Sequence, residues 1–415
     1  MKYGIFDHMD YGGASSPSTF FEGRLKLAEL YDQQDFYAYH LAEHHATPLG
    51  MSPSPNVFLS SLAQRTANLR FGPLVYCLPL YHPIRLFEEI CMLDQLSGGR
   101  LEMGIGRGIS PIELGYFGLS YEEGPSMYRE AFELILRGME GGKLSFEGDY
   151  FSIKEMPVTI TPVQKPHPPL WVAASRRETT LLAARFGIGS LGFGFETPEE
   201  TAIRVEEYYR LIREECFPIG EAINPGLLVL NQFMSAKTDE EAVRRSANGP
   251  GFFSYSLGYY STTRGTQRAE SGARLIDEHQ PGITNIHRVF DSLPQEQKDG
   301  RTQLREAKLM TEQQIAKSEP EEEMSRALFR AARSGSAIGA PDSIRKNIKR
   351  YEDAHTDIMV FNAQCGARKH EHIMEAIELF GTQVLPEFAE RHEKEHLPWR
   401  ERQLEGVPYP INSSI

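Results

Sequence analysis

Along the chain, short runs rich in β-branched or aromatic residues are followed repeatedly by longer stretches in which apolar residues recur every third or fourth position. That alternation marks strand–helix units feeding one parallel sheet. The run "YGIFD" (3–7) precedes a helical stretch at 20–34, where Leu27, Leu30 and Tyr31 share a face. Further units follow in order: 37–43 with 55–66, 69–78 with 83–97, and 100–106 with 125–139. A small hairpin turning at Gly148 occupies 143–153, after which 169–174 leads to 177–187. The run 189–194 precedes a helix at 198–215, which Thr197 caps and Pro198 opens. A seventh strand at 226–236, a helix at 341–354, an eighth strand at 357–364 and a last helix at 372–388 complete the pattern. Eight such units in strict alternation predict a (β/α)8 TIM barrel, α/β in class, rather than a doubly wound open sheet.

The 415 residues exceed a minimal barrel of about 250, and most of the excess lies between 237 and 337. This polar region, rich in Gly, Arg, Glu and Gln, reads as a long insertion after strand seven within a single domain spanning 1–415. Loops that follow barrel strands lie on the face that carries chemistry, so the insertion is a candidate lid. A dimer contact or a partly disordered excursion is an equal alternative.

Charge and cysteine usage narrow the function. With 44 basic and 57 acidic residues the net charge is -13, which removes any electrostatic reason to bind nucleic acid. No run approaches the ~18 apolar residues of a membrane span, and "MKYGIFDHMD" starts at once on a strand, so a cytoplasmic protein is expected. Cys77, Cys91, Cys216 and Cys365 lie far apart without a C-x-x-C pair and read as reduced structural thiols.

The stretch "YHLAEHHATPLG" (39–50) concentrates His40, Glu43, His44 and His45. On a helix, His40 and His44 would share a face and could share a metal. On a strand, four steps of ~3.3 Å put them ~13 Å apart, and His44 and His45 point to opposite faces. The aromatic run before them falls where the barrel needs its second strand, so no metal is expected. Glu43, His44 and His45 then lie in the barrel mouth, and His40 becomes a strand residue with a structural hydrogen bond. An imidazole there serves as acid or base, with a merely solvated or hydrogen-bonded strand end as the competing reading.

Other strand ends favour a cofactor. "GIGRG" (104–108) fails the dinucleotide fingerprint because Ile109 stands where glycine is required. Its small residues let a planar ligand approach the backbone, and Arg107 offers a bidentate cation to a phosphate. In "AASRRETT" (173–180), Ser175, Arg176 and Thr179 surround a helix start suited to an anion, although Ser175 as an ordinary helix cap competes. Two such sites on adjacent strand ends suggest one phosphorylated cofactor held across them.

The combination of "LAEHH" (41–45), "LPLYHPIRLFEEICMLDQLSGGRLEMGIGRG" (78–108), "WVAASRRETTLLAARFG" (171–187) and "GAPDSIRKNIKRYEDA" (339–354) resembles the bacterial luciferase-like family of flavin-dependent monooxygenases. The resemblance covers residues 1 to about 240 and 339 to 388. It implies a TIM barrel binding reduced FMN (FMNH2) supplied by a separate flavin reductase. Dioxygen adds at C4a, and the flavin peroxide oxidises an organic substrate. Carried over by position, Arg107, Ser175, Arg176 and Thr179 hold the FMN phosphate. Ala42, Glu43 and Leu74 surround the flavin ring, and His44 is the catalytic proton-transfer histidine. His45 and His82 take structural or secondary places near the substrate pocket, and a homodimer is implied. Such chemistry needs a site closed to water.

Gly106 stands where luciferase has a reactive cysteine, and Ala174 where it has a glutamate, so light emission is not implied. The aromatics of "GPGFFSYSLGYYSTTRG" (249–265) would line an apolar pocket or form the insertion's own core. Two-electron oxygenation of a small hydrophobic molecule is the expected reaction. The rivals are a deazaflavin (F420) dependent oxidoreductase of the same superfamily, a non-catalytic flavin-binding subunit and a metal-dependent barrel hydrolase.

Overall fold

Short runs of β-formers that can be buried on both faces become parallel strands, with helices covering the outer side. The computed structural model describes residues 1–11, 16–47, 49–120, 122–174, 176–192, 197–247, 256, 335–366, 368–412 and 415. The barrel strands are β1 (Lys2–Asp7), β2 (Ala38–Leu41), β3 (Arg70–Pro73), β4 (Tyr76–Cys77) and β5 (Met103–Gly106). After an antiparallel hairpin, β6 (Lys143–Glu147) and β7 (Ser152–Pro157), come β8 (Leu170–Ala174), β9 (Gly189–Gly192) and β10 (Leu227–Ser235). The short β11 (Ala337–Gly339) and the last barrel strand β12 (Ile358–Asn362) complete the set.

The hydrogen-bonded order runs β3-β2-β1-β12-β10-β9-β8-β5-β4, and β11 adds to β10 from the side. Among the described residues nine strands fill eight positions, because β3 and β4 are pieces of one strand interrupted at Leu74–Val75, whose peptide is cis. The Phe71–Leu101 bridge and the pairing of β4 with β5 bring the ring together.

Alternation along the strands builds two cores. Phe6, Ala42, Leu74, Trp171, Leu228, Leu230, Ile358 and Val360 cluster inside the barrel. Residues of the other parity, such as Tyr39, Phe233, Met359 and Phe361, pack outward against helices. At the barrel's base the buried Glu102 carboxylate accepts hydrogen bonds from Tyr37 Oη, Arg70 Nε and Trp171 Nε1, so this interior charge is paired.

The helices begin where the sequence supplies starts. They are α1 (Pro17–Gln33), α2 (Pro55–Arg65), α3 (Pro83–Ser97), a short α4 (Pro111–Tyr116), α5 (Gly124–Met139), α6 (Arg177–Arg185) and α7 (Pro198–Glu215). Ser16 Oγ caps α1, and Thr197 with Glu200 forms a capping box on α7. Then come α8 (Asp239–Ser246), α9 (Pro341–Asp353) and α10 (His370–Gln383). Apart from 237–247, Ser256 and the stretch from Gly335, the 237–337 insertion lies outside the described residues. Among the described residues no helix is long and apolar enough to cross a membrane.

The C-terminal region departs from expectation. The last predicted helix ends at Gln383, and α11 (Leu385–Arg391), a π turn at His392–His396 and α12 (Leu397–Leu404) follow. They close the end of the barrel opposite the mouth through a buried carboxylate. Asp357 accepts from Tyr209 Oη (2.8 Å), Leu227 N (2.8 Å) and His396 Nε2 (2.9 Å).

Candidate functional site

The site is built where strands hand over to loops at the C-terminal end of the barrel. β2 ends at Leu41, and Ala42 to His45 leave the sheet as a loop. Glu43 is 3% exposed; its Oε2 accepts from Cys77 N at 2.9 Å and its Oε1 meets His45 Nε2 at 3.0 Å. Burial raises the Glu43 pKa, opposed by these bonds and by one from Tyr81.

His44 turns to a different carboxylate. Its Nδ1 lies 3.2 Å from Oε1 and 3.3 Å from Oε2 of Glu113. Glu113 Oε1 also accepts from His45 N at 2.7 Å and Thr47 Oγ1 at 3.1 Å. Glu113 sits in the first turn of α4, whose N-cap Ser110 accepts from Glu113 N. In a capping box that glutamate would reach back to its own N-cap backbone; here it reaches across to the β2 loop. His8, just beyond β1, holds its ring parallel to His44's, with centroids 6.4 Å apart and an interplanar angle of 10°. Burial first, and His44 second, pull the His8 pKa well below the ordinary imidazole value.

The paired histidines therefore do not sort by strand faces as expected, because the strand has ended before them. Each is fixed by its own carboxylate, and the His45 ring also meets Phe117 edge-on at 4.9 Å. His40 is a strand residue, but its expected hydrogen bond is absent. Both ring nitrogens are buried without a partner among the described residues, the ring lies 6.3 Å from Trp171, and burial lowers its pKa to about 4. Among the described residues no three His, Cys, Asp or Glu side chains are grouped to hold a metal ion.

Around the mouth Ala42 (4% exposed) and Leu74 (2%) are buried in the same interior cluster. Gly106 ends β5 against Val75: a Cβ there would lie 2.3 Å from Val75 Cγ2. This close approach accounts for glycine where the resemblance expects a cysteine. Arg107 follows Gly106 and is exposed. β8, hydrogen-bonded to β5, leads into α6, whose N-cap is Arg176 with no side-chain cap bond. Ser175, the other capping candidate, lies outside the described residues. Arg176 is exposed and Thr179 half-buried in the first turn. Arg107, Arg176 and Thr179 thus come from adjacent strand ends around the N-terminus of α6, an arrangement suited to a phosphate. His82 stands elsewhere, exposed at the start of α3 with its ring 5.7 Å from Phe151 of the hairpin.

Sequence reasoning missed Glu113 and His8. "SPIE" (110–113) fits a helix-start pattern, and nothing local points to a histidine 69 positions away. For His8 the signal was the polar tail "DHMD" on the first strand.

The family model described as luciferase-like monooxygenase matches residues 1–357. The uncharacterized protein y4wF of Sinorhizobium fredii is 50% identical over 210 residues, 51% of this chain and 60% of that protein, so the match spans under two thirds of the relative's length. The oxygenase component of flavin-dependent trigonelline monooxygenase from Acinetobacter baylyi is 24% identical over 267 residues, 64% of this chain and 73% of that one. Two solved structures share the fold. One is the oxygenating constituent of 3,6-diketocamphane monooxygenase from Pseudomonas putida in complex with FMN (TM-score 0.65, 18% identity, 93% and 98% covered). The other is a coenzyme F420 dependent tetrahydromethanopterin reductase from Methanopyrus kandleri (TM-score 0.61, 19% identity, 93% and 99% covered).

Proposed function

The chain belongs to the luciferase-like monooxygenase family, and from that premise we propose that it is the oxygenase of a two-component system, using reduced FMN and dioxygen to oxidise a small, hydrophobic organic molecule. The observation that carries the reading is the His44–Glu113 pair beside a phosphate-type cradle on the next strand ends.

The side chains present fit FMN. Arg107, Arg176 and Thr179, with Ser175, would hold the phosphate, and Ala42, Glu43 and Leu74 would border the ring. Bound in reduced form, the flavin supplies the two electrons that activate dioxygen. The protein's part is to bind, orient and protect. Glu113 accepts a hydrogen bond from Nδ1–H of His44 and fixes the ring, so proton exchange falls to Nε2. His45 is a positioning residue, held through Glu43, and His82 lies at the rim. Burial keeps His8 neutral, so no charge from it lies beside His44. The insertion at 237–337 serves as the cover that excludes water. That two relatives are an oxygenase component and an oxygenating constituent supports a separate flavin reductase as the source of reduced FMN. A homodimer acting in the cytoplasm completes the proposal.

An anaerobic titration with FMN and with F420, followed by admission of oxygen, tests the reading. Tighter binding of FMN and oxygen uptake coupled to substrate oxidation are expected. Preference for F420, with hydride transfer that needs no oxygen, would replace it with the F420-dependent alternative.

A further inference from the structure

The carried-over flavin positions lie on β2, β3, β5 and β8, which leaves the arc formed by β9, β10, β12 and β1 without an assigned ligand. β12 ends there on Asn362, paired in register with Gln232 of β10. Ile358 and Val360 of β12, with Leu228 and Leu230 of β10, pack together inside the barrel. Asn362 and Gln232 continue that parity, so both side chains face inward at the mouth.

Asn362 is 1% exposed, and among the described residues neither its Nδ2 nor its Oδ1 has a hydrogen-bond partner. Buried carboxamides in folded proteins are paired, and nearby ones here obey that rule. Asn231 donates to Gly335 O and accepts from Ala337 N; Gln364 accepts from Arg24 and donates to Gly366 O. Nor does the adjacent cation serve Asn362's amide. Arg368 directs Nη1 to the carbonyls of Phe233, Asn362 and Ala363, and Nη2 to Gln232 Oε1.

We propose that the Asn362 carboxamide, with Gln232 beside it, is the point at which the substrate is recognised, and that it takes a neutral group presenting one hydrogen-bond donor next to one acceptor: a carboxamide, a lactam or an N–H heterocycle bearing a carbonyl. A carboxylate would face the lone pairs of Oδ1, and an ammonium would face the N–H groups of Nδ2. A ketone or ester would leave Oδ1 unmatched inside the protein. The assignment of this arc to substrate rests on the flavin reading, but the contact itself does not require flavin.

Calorimetric titration of the full chain, with and without FMN, would compare a six-membered N-unsubstituted lactam with the lactone of the same ring carrying the same alkyl chain. The lactam is expected to bind about tenfold or more tightly, and Asn362→Leu to erase that preference. The same substitution should not lower the thermal midpoint of the ligand-free protein, since leucine has similar volume and removes an unpaired polar group. Three results would overturn the proposal: equal or absent binding of lactam and lactone, a preference that survives Asn362→Leu, or a midpoint lowered by several degrees, which would reveal a partner for the amide in the ligand-free chain. Protein that prefers the lactam yet ignores FMN would keep this inference and lose the flavin reading. Protein that binds FMN without preferring the lactam would do the reverse.

Discussion

Nδ1 of His44 lies 3.2 Å from Oε1 of Glu113, and the same oxygen accepts the backbone N–H of His45 at 2.7 Å. One carboxylate thus fixes both the imidazole and the loop that carries it. Glu113→Gln keeps the shape and removes the charge. It should lower the oxidation rate by about tenfold to a hundredfold while FMN affinity changes less than about threefold. His44→Ala should cost about 10²- to 10⁴-fold in rate, the range of a positioned acid–base group. Stopped-flow rates alongside equilibrium FMN titration check both, and unchanged turnover in His44→Ala would remove the proton-transfer role.

The start of α6, where Arg176 holds the N-cap position without a side-chain cap bond, predicts a ligand that must carry phosphate. Arg176→Ala should weaken FMN about tenfold and leave riboflavin binding unaltered, because only the charge-assisted bonds are lost. Raising the salt concentration should weaken FMN binding to the native protein more than to the variant. Equal loss for riboflavin would show that Arg176 acts on the loop and not on a phosphate.

Gly106 is held by Val75. Gly106→Ala places a methyl carbon 2.3 Å from Val75 Cγ2, and such overpacking typically costs about 1–3 kcal/mol. Chemical denaturation should show that loss, and Val75→Ala in the same chain should recover most of it. A single variant as stable as the native protein would mean that the β4 segment yields freely.

Burial lowers the pKa of His40 to about 4 and that of His392 to about 2. Unfolded, each titrates near ~6.5, so below that pH the unfolded chain binds protons that the native chain refuses. Their contribution to stability is complete above ~6.5 and is lost as pH falls, through about 4 for His40 and further for His392. Urea midpoints should decline from pH 7 to pH 4, and His40→Phe should decline less steeply. A midpoint that is flat or rises on acidification would contradict the assignment.

The barrel was legible because each strand is short, apolar on both faces and bounded by turn residues, so periodicity alone separates it from the helices. Less visible was whatever depends on distant partners. Glu113 sits in a helix-start pattern that explains it locally, and its real partner comes from a loop two barrel positions away. The break between β3 and β4 follows Gly72–Pro73 inside a run that reads as one strand. β11 has three residues, too few to show a period. Beyond Gln383 the chain is rich in charge, and α12 buries Arg400, whose Nη2 donates to Pro225 O at 2.7 Å; polar burial of that kind defeats a reading based on apolar spacing. His40 was placed correctly on its strand, but a strand position says nothing about whether an interior imidazole finds a partner.

β1 is hydrogen-bonded on one side to β2 and on the other to β12, with Lys2 opposite Ile358. During synthesis the second of those edges has no partner until more than 350 further residues have emerged, a wait of roughly 20 to 70 s at ordinary translation rates. Throughout it, "YGIFD" is a nascent apolar strand with an open side, a template for pairing with another chain. The step that completes the barrel is therefore also the one most exposed to aggregation, and yield in a heterologous host should respond to chaperone supply more than to any change at the mouth.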